Sequence, residues 1–457
     1  MELDKIKQRL ELALRPAEPP TLEEVLEQVS KHGVLRGPVD WVFPAWIAYV
    51  EYAVQKIIET FRLTEEERSQ LLDFRDAMKR LLREAWMQAK EKPTTLYKAV
   101  AEDTYRVEGN RLYAPDGTWM YVSENLAPRI TIRGVSASAR FPDLLKLPLE
   151  RLELLQLGWR ASDEGKADGR PVMVTTQPWQ VFAWAAARCG ELHIRIASAN
   201  LTREGVSVSV RLRANSWRQK WSKDEAVDLV VSHLRHGEWT PLLAAWLGDG
   251  ETKRREVLHG KYRVIIAAKE PWRLGIGIGT GKALVASGKE AFIKLRESAG
   301  VYGELLDLLK AHKWIYIKLA TDDALRMTHK LKTKKGIVIV GSVAMYLCLV
   351  SGRGGSLLAV RYTRDLEKAL AIADKLKAAG LRPNIVRSGP NYVVYIATAD
   401  LRRMAESDGE IRRAIALYLA DKAKNGTPRQ REIAEKILKR NPLFSTNAFL
   451  LPRSRRR

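Results

Sequence analysis

Residues 242–250 read Leu-Leu-Ala-Ala-Trp-Leu-Gly-Asp-Gly, an apolar run with small residues at Ala244, Ala245 and Gly248 that stops at a carboxylate between two glycines. An acid fixed at the end of an apolar helix is a hard oxygen donor, which is what Mg2+ requires, and a second acid, Glu251, follows closely. The small residues leave room for another backbone to come near. Residues 346–354, Tyr-Leu-Cys-Leu-Val-Ser-Gly-Arg-Gly, fit that template, with small Cys348 and Gly352 and a closing Gly354. There Arg353 stands at the place of Asp249. A fixed cation beside one remaining carboxylate repels Mg2+, so a two-acid site would need Glu251 or a second subunit to complete it.

A second match runs in the same order. Ala320–Met327 aligns without gaps with Ala397–Met404, sharing Ala, Thr, one acid, Arg and Met. Each follows an aromatic segment read as a strand, Trp314–Leu319 and Tyr392–Ile396, and each reads as a helix start. The first copy then carries an insertion, placed around Gly275–Gly281, and the second is one strand short.

Together these residues resemble the LAGLIDADG motif, in its Leu-Gly-Asp-Gly variant, of homing endonucleases and related DNA-binding proteins. The resemblance implies a C-terminal pseudo-dimer of αββαββα repeats, with two helices side by side and their terminal acids meeting at the base. It implies Asp249 and Glu251 as catalytic acids, Asp249 as ligand to Mg2+, and strands forming a saddle over duplex DNA. Lys261, Arg263, Lys269, Arg273, Arg353, Arg361 and Arg364 would contact phosphates or guanine edges from those strands. The expectation is a DNA-binding protein derived from such an endonuclease, its cleavage weak or lost. The alternative is an RNA-binding or structural ribonucleoprotein component without catalysis. Trp119–Pro128 and Leu154–Ala161 resemble in addition a crenarchaeal multicopy repeat-protein family, the PaREP class, whose function is not established; that likeness implies a mobile-element origin and supplies no site residues.

The elements that must hold these residues read as an α+β chain. Apolar residues recur at helical spacing from Thr21 to Ala89, with breaks at Gly37-Pro38 and Pro44, and give a helical domain over 1–94 that closes at Lys92-Pro93. An α+β domain follows over 95–221. Its strands are read at Leu112-Tyr113, Trp119–Val122, Ile130–Ile132 and His193–Ile196, and Phe141–Leu157 is read as an amphipathic helix. Gly205–Arg213 alternates apolar residues with Ser or Arg, so one face must be buried and the other wet. Ser222-Lys223-Asp224-Glu225 starts a helix and opens the two-repeat domain over 222–440, and 441–457 is a basic tail.

The chain of 457 residues has 77 Lys and Arg against 54 Asp and Glu, a net charge of +23 that favours polyanions over neutral small molecules. The excess is −1 over residues 1–100, +4 over 101–220 and +20 over 221–457, a concentration that an evenly charged surface would not give. Cys189 and Cys348 sit in apolar runs without metal-ligand spacing and read as buried small residues. His233 and His236 lack a third ligand, and Gly275–Ala283 fails as a phosphate loop because Ala283 follows Lys282. No apolar run is long enough to span a bilayer and no signal-type core opens the chain, so a cytoplasmic monomer without a membrane partner is expected, and the sequon at Asn200 goes unused.

Overall fold

The computed structural model describes residues 3–122, 127–252, 262–267, 283–287, 289–328, 336–340, 343–352 and 355–444. The protein is mixed α+β with antiparallel sheets, and it divides into two compact units, residues 1–252 with 263–319, and 253–262 with 320–457. The expected boundaries at 94/95 and 221/222 are therefore not unit boundaries, and the tail at 445–457 lies outside the described residues.

The first unit opens with α1 (Leu3–Leu14), α2 (Leu22–His32), α3 (Val39–Thr60) and α4 (Glu65–Ala101). Capping boxes at Thr21/Glu24 and Thr64/Glu67 start α2 and α4. The break at Gly37-Pro38 is present, but α3 runs through Pro44 and α4 through Pro93. Either proline removes a helical hydrogen bond; the continuous buried stripe Ala85, Ala89, Pro93, Leu96 in α4 outweighs that loss.

A nine-stranded sheet follows, built from β1 (Arg106–Glu108), β2 (Arg111–Tyr113), β3 (Trp119–Tyr121), β4 (Arg129–Thr131), β5 (Ser136–Phe141), β6 (Gly165–Ala167), β7 (Arg170–Thr175), β8 (Gly190–Thr202) and β9 (Gly205–Ala214). Its order is β1-β2-β3-β4-β8-β9-β7-β6, with β5 also paired to β8. The alternation read in the sequence is realised only in part, since Ser207 and Ser209, on the face read as wet, are buried. Leu192, Ile194 and Ile196 of β8 and Val206, Val208, Val210 and Leu212 of β9 are fully buried, while His193, Arg195, Arg211 and Arg213 lie on the opposite face. Phe74 of α4, Phe141 of β5 and Phe182 meet edge to face at 5.0 to 6.3 Å and tie the helices to the buried side.

Between and after the strands come α5 (Leu149–Ala161), α6 (Pro178–Ala187), α7 (Lys223–Arg235) and α8 (Thr240–Asp249). The helix expected at Phe141 begins only at Leu149, because Phe141 closes β5; Ser222 and Glu225 form the capping box of α7 as read. The unit ends with β10 (Gly250–Glu251), β11 (Arg263–Ala267) and β12 (Ala283–Ser287) in one antiparallel sheet, then α9 (Lys289–Leu308) and the start of α10 (His312–Thr328).

The second unit holds β13 (Ile337–Val340), β14 (Val343–Val350), β15 (Ser356–Thr363), β16 (Asn384–Ser388) and β17 (Asn391–Ile396), in the order β13-β14-β15-β17-β16. Its core gathers Met345, Leu357, Val394 and Ile396 from the sheet with residues of α11 (Leu366–Ala378), α12 (Thr398–Ser407), α13 (Gly409–Asn425) and α14 (Pro428–Arg440). Two expectations fail here. Residues 346–350 are strand, not helix: along β14 buried Val343, Met345 and Leu347 alternate with exposed Ala344 and Tyr346, and an eight-residue apolar run satisfies either period until its neighbours decide. Trp314–Leu319 is helix, not strand, and Ala320 continues α10 rather than starting a helix. The other half of that match holds, since β17 leads into α12. No helix among the described residues is long and apolar enough to cross a membrane.

Candidate functional site

The helix partner of Asp249 lies upstream of it. α5 and α8 pack backbone to backbone through their small residues: a Cβ placed on Gly158 would lie 2.6 Å from Ala244 Cβ and 2.9 Å from Ala245 N, and one on Gly248 would lie 2.8 Å from Ser162 Cβ. One offset of 86 residues relates Gly158 to Ala244, Ser162 to Gly248 and Asp163 to Asp249. Gly158 and Ser162 thus meet their own counterparts on the seam, as residues beside a local twofold axis do. Both helices are buried along this contact, α8 from Thr240 to Gly248 and α5 from Leu155 to Ala161.

At the end of the seam the two carboxyls meet. Half-buried Asp163 hydrogen-bonds Asp249, and its pKa rises to about 6 through burial and then through the charge of exposed Asp249. Two like groups this close share a proton unless a cation comes between them. Gln180 Nε2 donates to Asp163 Oδ2 at 3.3 Å and to Leu247 O at 3.0 Å. Lys313, at the start of α10, is buried. Its ammonium donates to Leu247 O at 2.9 Å and to Gly248 O, capping the last carbonyls of α8. Burial lowers its pKa to about 8, against the opposing pull of Asp163 and Asp249.

The turn that carries Asp163 is held by its neighbour. Glu164 is fully buried and accepts from Arg188 Nη2 at 2.7 Å and Nε at 2.9 Å, Trp184 Nε1 at 2.8 Å and Gln219 Nε2 at 2.6 Å. Lys223 Nζ donates to Ser162 O, and Arg160 Nη1 to Glu164 O at 3.0 Å. One acid of the pair Asp163-Glu164 is locked into the protein and the other is presented. Gly250 leaves α8 in extended conformation at φ −70°, so its role is not a left-handed turn; Trp246 lies against it where a Cβ would go.

Each acid stands where its helix hands over to an edge strand of a sheet, β6 at Gly165 and β10 at Gly250. In the larger sheet, cross-strand register sets Ser138, His193 and Arg213 in one row and Ser136, Arg195 and Arg211 in the next. Arg213 reaches Asp168 at 3.3 Å, while among the described residues no carboxylate pairs with Arg195 or Arg211. Burial, then Arg213, Arg211 and Arg195, hold the His193 pKa below its ordinary 6.5.

Of the residues singled out in the sequence, Asp249 is in this site and Glu251 follows it in β10. Arg263 is exposed on β11, its backbone bonded to the Tyr316 hydroxyl. Arg361 and Arg364 belong to the other unit, Arg361 stacked 5.9 Å from the Tyr346 ring. Lys261, Lys269, Arg273 and Arg353 lie outside the described residues, as does 275–282. His236 caps α7, its Nδ1 2.8 Å from Ser232 O. Cys189 and Cys348 are free thiols, raised by burial, Cys189 to about 11. Asp163, Gln180 and Lys313 were missed. Asp163 had a signal, since Leu154–Ala161 carries small Gly158 and ends on Ser162-Asp163-Glu164-Gly165, a polar stop like that of residues 242–250. Compared with known proteins, the chain matches no family model, no curated protein and no solved structure.

Proposed function

We propose that the first unit is a DNA-processing core of the LAGLIDADG type, a metal-dependent endonuclease whose two acids are Asp163 and Asp249. The observation that carries this reading is the pair of helices joined residue to counterpart, with both acids at its end. The case for a lost second acid rested on pairing Asp249 with residues 346–354, and those begin as a strand; with Asp163 as partner that case falls away.

Two adjacent carboxylates, oxygen donors only and one of them open to solvent, fit a hard divalent cation such as Mg2+. Among the described residues no cluster of three His, Cys, Asp or Glu forms, so a cation here would take its other ligands from water, carbonyl and phosphate oxygen. When bound, it would stabilise charge developing on a phosphodiester. The chain's own residues supply position. The Glu164 network fixes the turn, Gln180 orients the Asp163 carboxyl, and Lys313 offsets the charge of both aspartates while fixing the end of α8. Arg195, Arg211 and Arg213, from two neighbouring rows, supply cations for a phosphate backbone laid across the sheet.

The test is nicking of supercoiled plasmid with Mg2+ by wild type, Asp163→Asn and Asp249→Asn. Both variants are expected to lose activity by at least about 100-fold. Nicking retained by either variant would remove its residue from the chemistry, and no nicking by wild type across Mg2+ and Mn2+ would overturn the enzyme reading.

A further inference from the structure

The nine-stranded sheet does not end with the strands beside the acid pair. β4, β3, β2 and β1 extend it past β8, and each is only three residues long. Leu112, Met120 and Ile130 point to the core and are fully buried. On the opposite face the register sets Arg106, Tyr113 and Trp119 in one row and Glu108, Arg111, Tyr121 and Arg129 in the next, which runs on through Asn200 and Ser207. This is the same face that carries Arg195, Arg211 and Arg213.

Guanidinium and ring alternate across these strands. Arg111 lies 4.5 Å from the Trp119 ring, Arg129 4.7 Å from Tyr121, Arg106 5.0 Å from Tyr113, and Arg133, just past β4, 5.7 Å from Trp119. Arg106 is paired with Glu108 at 3.0 Å, but among the described residues no carboxylate meets Arg111, Arg129 or Arg133. Stacking restricts each guanidinium, so less side-chain entropy remains to be lost when an anion is gripped. Glu108, opposite Arg111 in the register, is already paired with Arg106, so cations outnumber acids on these rows and repel one another. A polyanion is the partner that relieves this.

We infer that β1–β4 form a phosphate-gripping extension for duplex DNA that flanks the segment lying over the acid pair, with Arg111, Arg129 and Arg133 as the contacts. The inference rests on the DNA reading of the same face. From β8 to β1 the extension covers four strand spacings, about 19 Å, or five to six base pairs at about 3.4 Å each. Duplex rather than single-stranded DNA is favoured because the ring faces are already taken by the arginines, which leaves phosphates and not bases as the groups to bind.

The experiment is the salt dependence of affinity for a random-sequence duplex of about 30 base pairs, without divalent metal, for wild type and Arg111→Ala/Arg129→Ala/Arg133→Ala. The slope of log affinity against log salt should fall in magnitude by about 2.7, three contacts at about 0.9 each. Asp163→Asn and Asp249→Asn should leave the slope unchanged, and absence of nicking by wild type sinks the proposed function without touching this slope. Should the triple variant fail to fold, Arg129→Gln and Arg133→Gln are each expected to lower the slope by about 0.9. An unchanged slope in a folded variant overturns the inference. So does a change seen with single-stranded but not duplex DNA, which would make the face a stacking platform instead.

Discussion

Asp163 and Glu164 are neighbours with opposite fates. Asp163 sits half-buried against another acid, whereas Glu164 accepts four hydrogen bonds and forms a buried ion pair with Arg188. Breaking such a pair leaves an uncompensated charge inside the protein, so Glu164→Gln is expected to cost about 3 to 5 kcal/mol in stability. The double variant Glu164→Gln/Arg188→Met should recover part of it, and denaturant unfolding of the three proteins measures this; a single variant within about 1 kcal/mol of wild type would show that the network does not anchor the turn. A second residue prediction concerns His193. A histidine whose folded pKa lies below its unfolded value stabilises the fold above the unfolded value and loses that contribution as pH falls through the folded one. Phosphates laid over Arg195, Arg211 and Arg213, as proposed, would leave burial as the cause of the shift and remove the part due to the arginines, so that DNA binding would take up a proton. Affinity should therefore rise as pH falls through the histidine's titration, and His193→Gln should flatten the profile; equal profiles in filter binding would place His193 away from the DNA.

At the scale of elements, periodicity carried far where neighbours did not matter. The alternation of Gly205–Arg213 and the capping box at Ser222 could be read directly because each is a local signal. β14 could not: its apolar residues fit a helix with small positions as well as a strand, and only pairing with β13 and β15 decides. The other error was one of reach. Asp249 was legible as the end of a close-packed helix, but its partner was sought downstream, although Gly158 and Asp163 repeat Ala244 and Asp249 at a constant offset. A spaced pair of small residues is weak in one dimension and decisive once two backbones touch. Contact at Gly158 can be tested through that symmetry. Alanine is normally favoured over glycine within a helix by about 1 kcal/mol, yet Gly158→Ala puts a methyl where Ala244 already has one and should destabilise by about 1 to 3 kcal/mol while lowering nicking. Adding Ala244→Gly removes the methyl contact but not the closer one with Pro241 O, and should restore part of both. Additive losses in the double variant would mean that the two positions do not share one space.

At the scale of the molecule, the two units repeat a topology that the sequence match did not capture. In the first unit β6, β7, α6, β8, β9 and α7 follow in chain order, with sheet order first-second-fourth-third and antiparallel pairing throughout. In the second, β14, β15, α11, β16, β17 and α12 do the same. The sequence suggested repetition through Ala320–Met327 and Ala397–Met404, of which only the second follows a strand; the repetition that exists is one of strand order, which leaves little trace in residue identity because each position asks only for an apolar or a wet side chain. The second unit also closes its own core, from Val338 in β13 through Leu419 in α13 to Ile437 in α14. A segment that buries its apolar residues against one another has what it needs to fold alone. Residues 336–444 expressed separately should therefore unfold in one cooperative transition, with the same midpoint whether followed by circular dichroism or by tyrosine fluorescence. A fragment without a cooperative transition would show that this core forms only in the full chain.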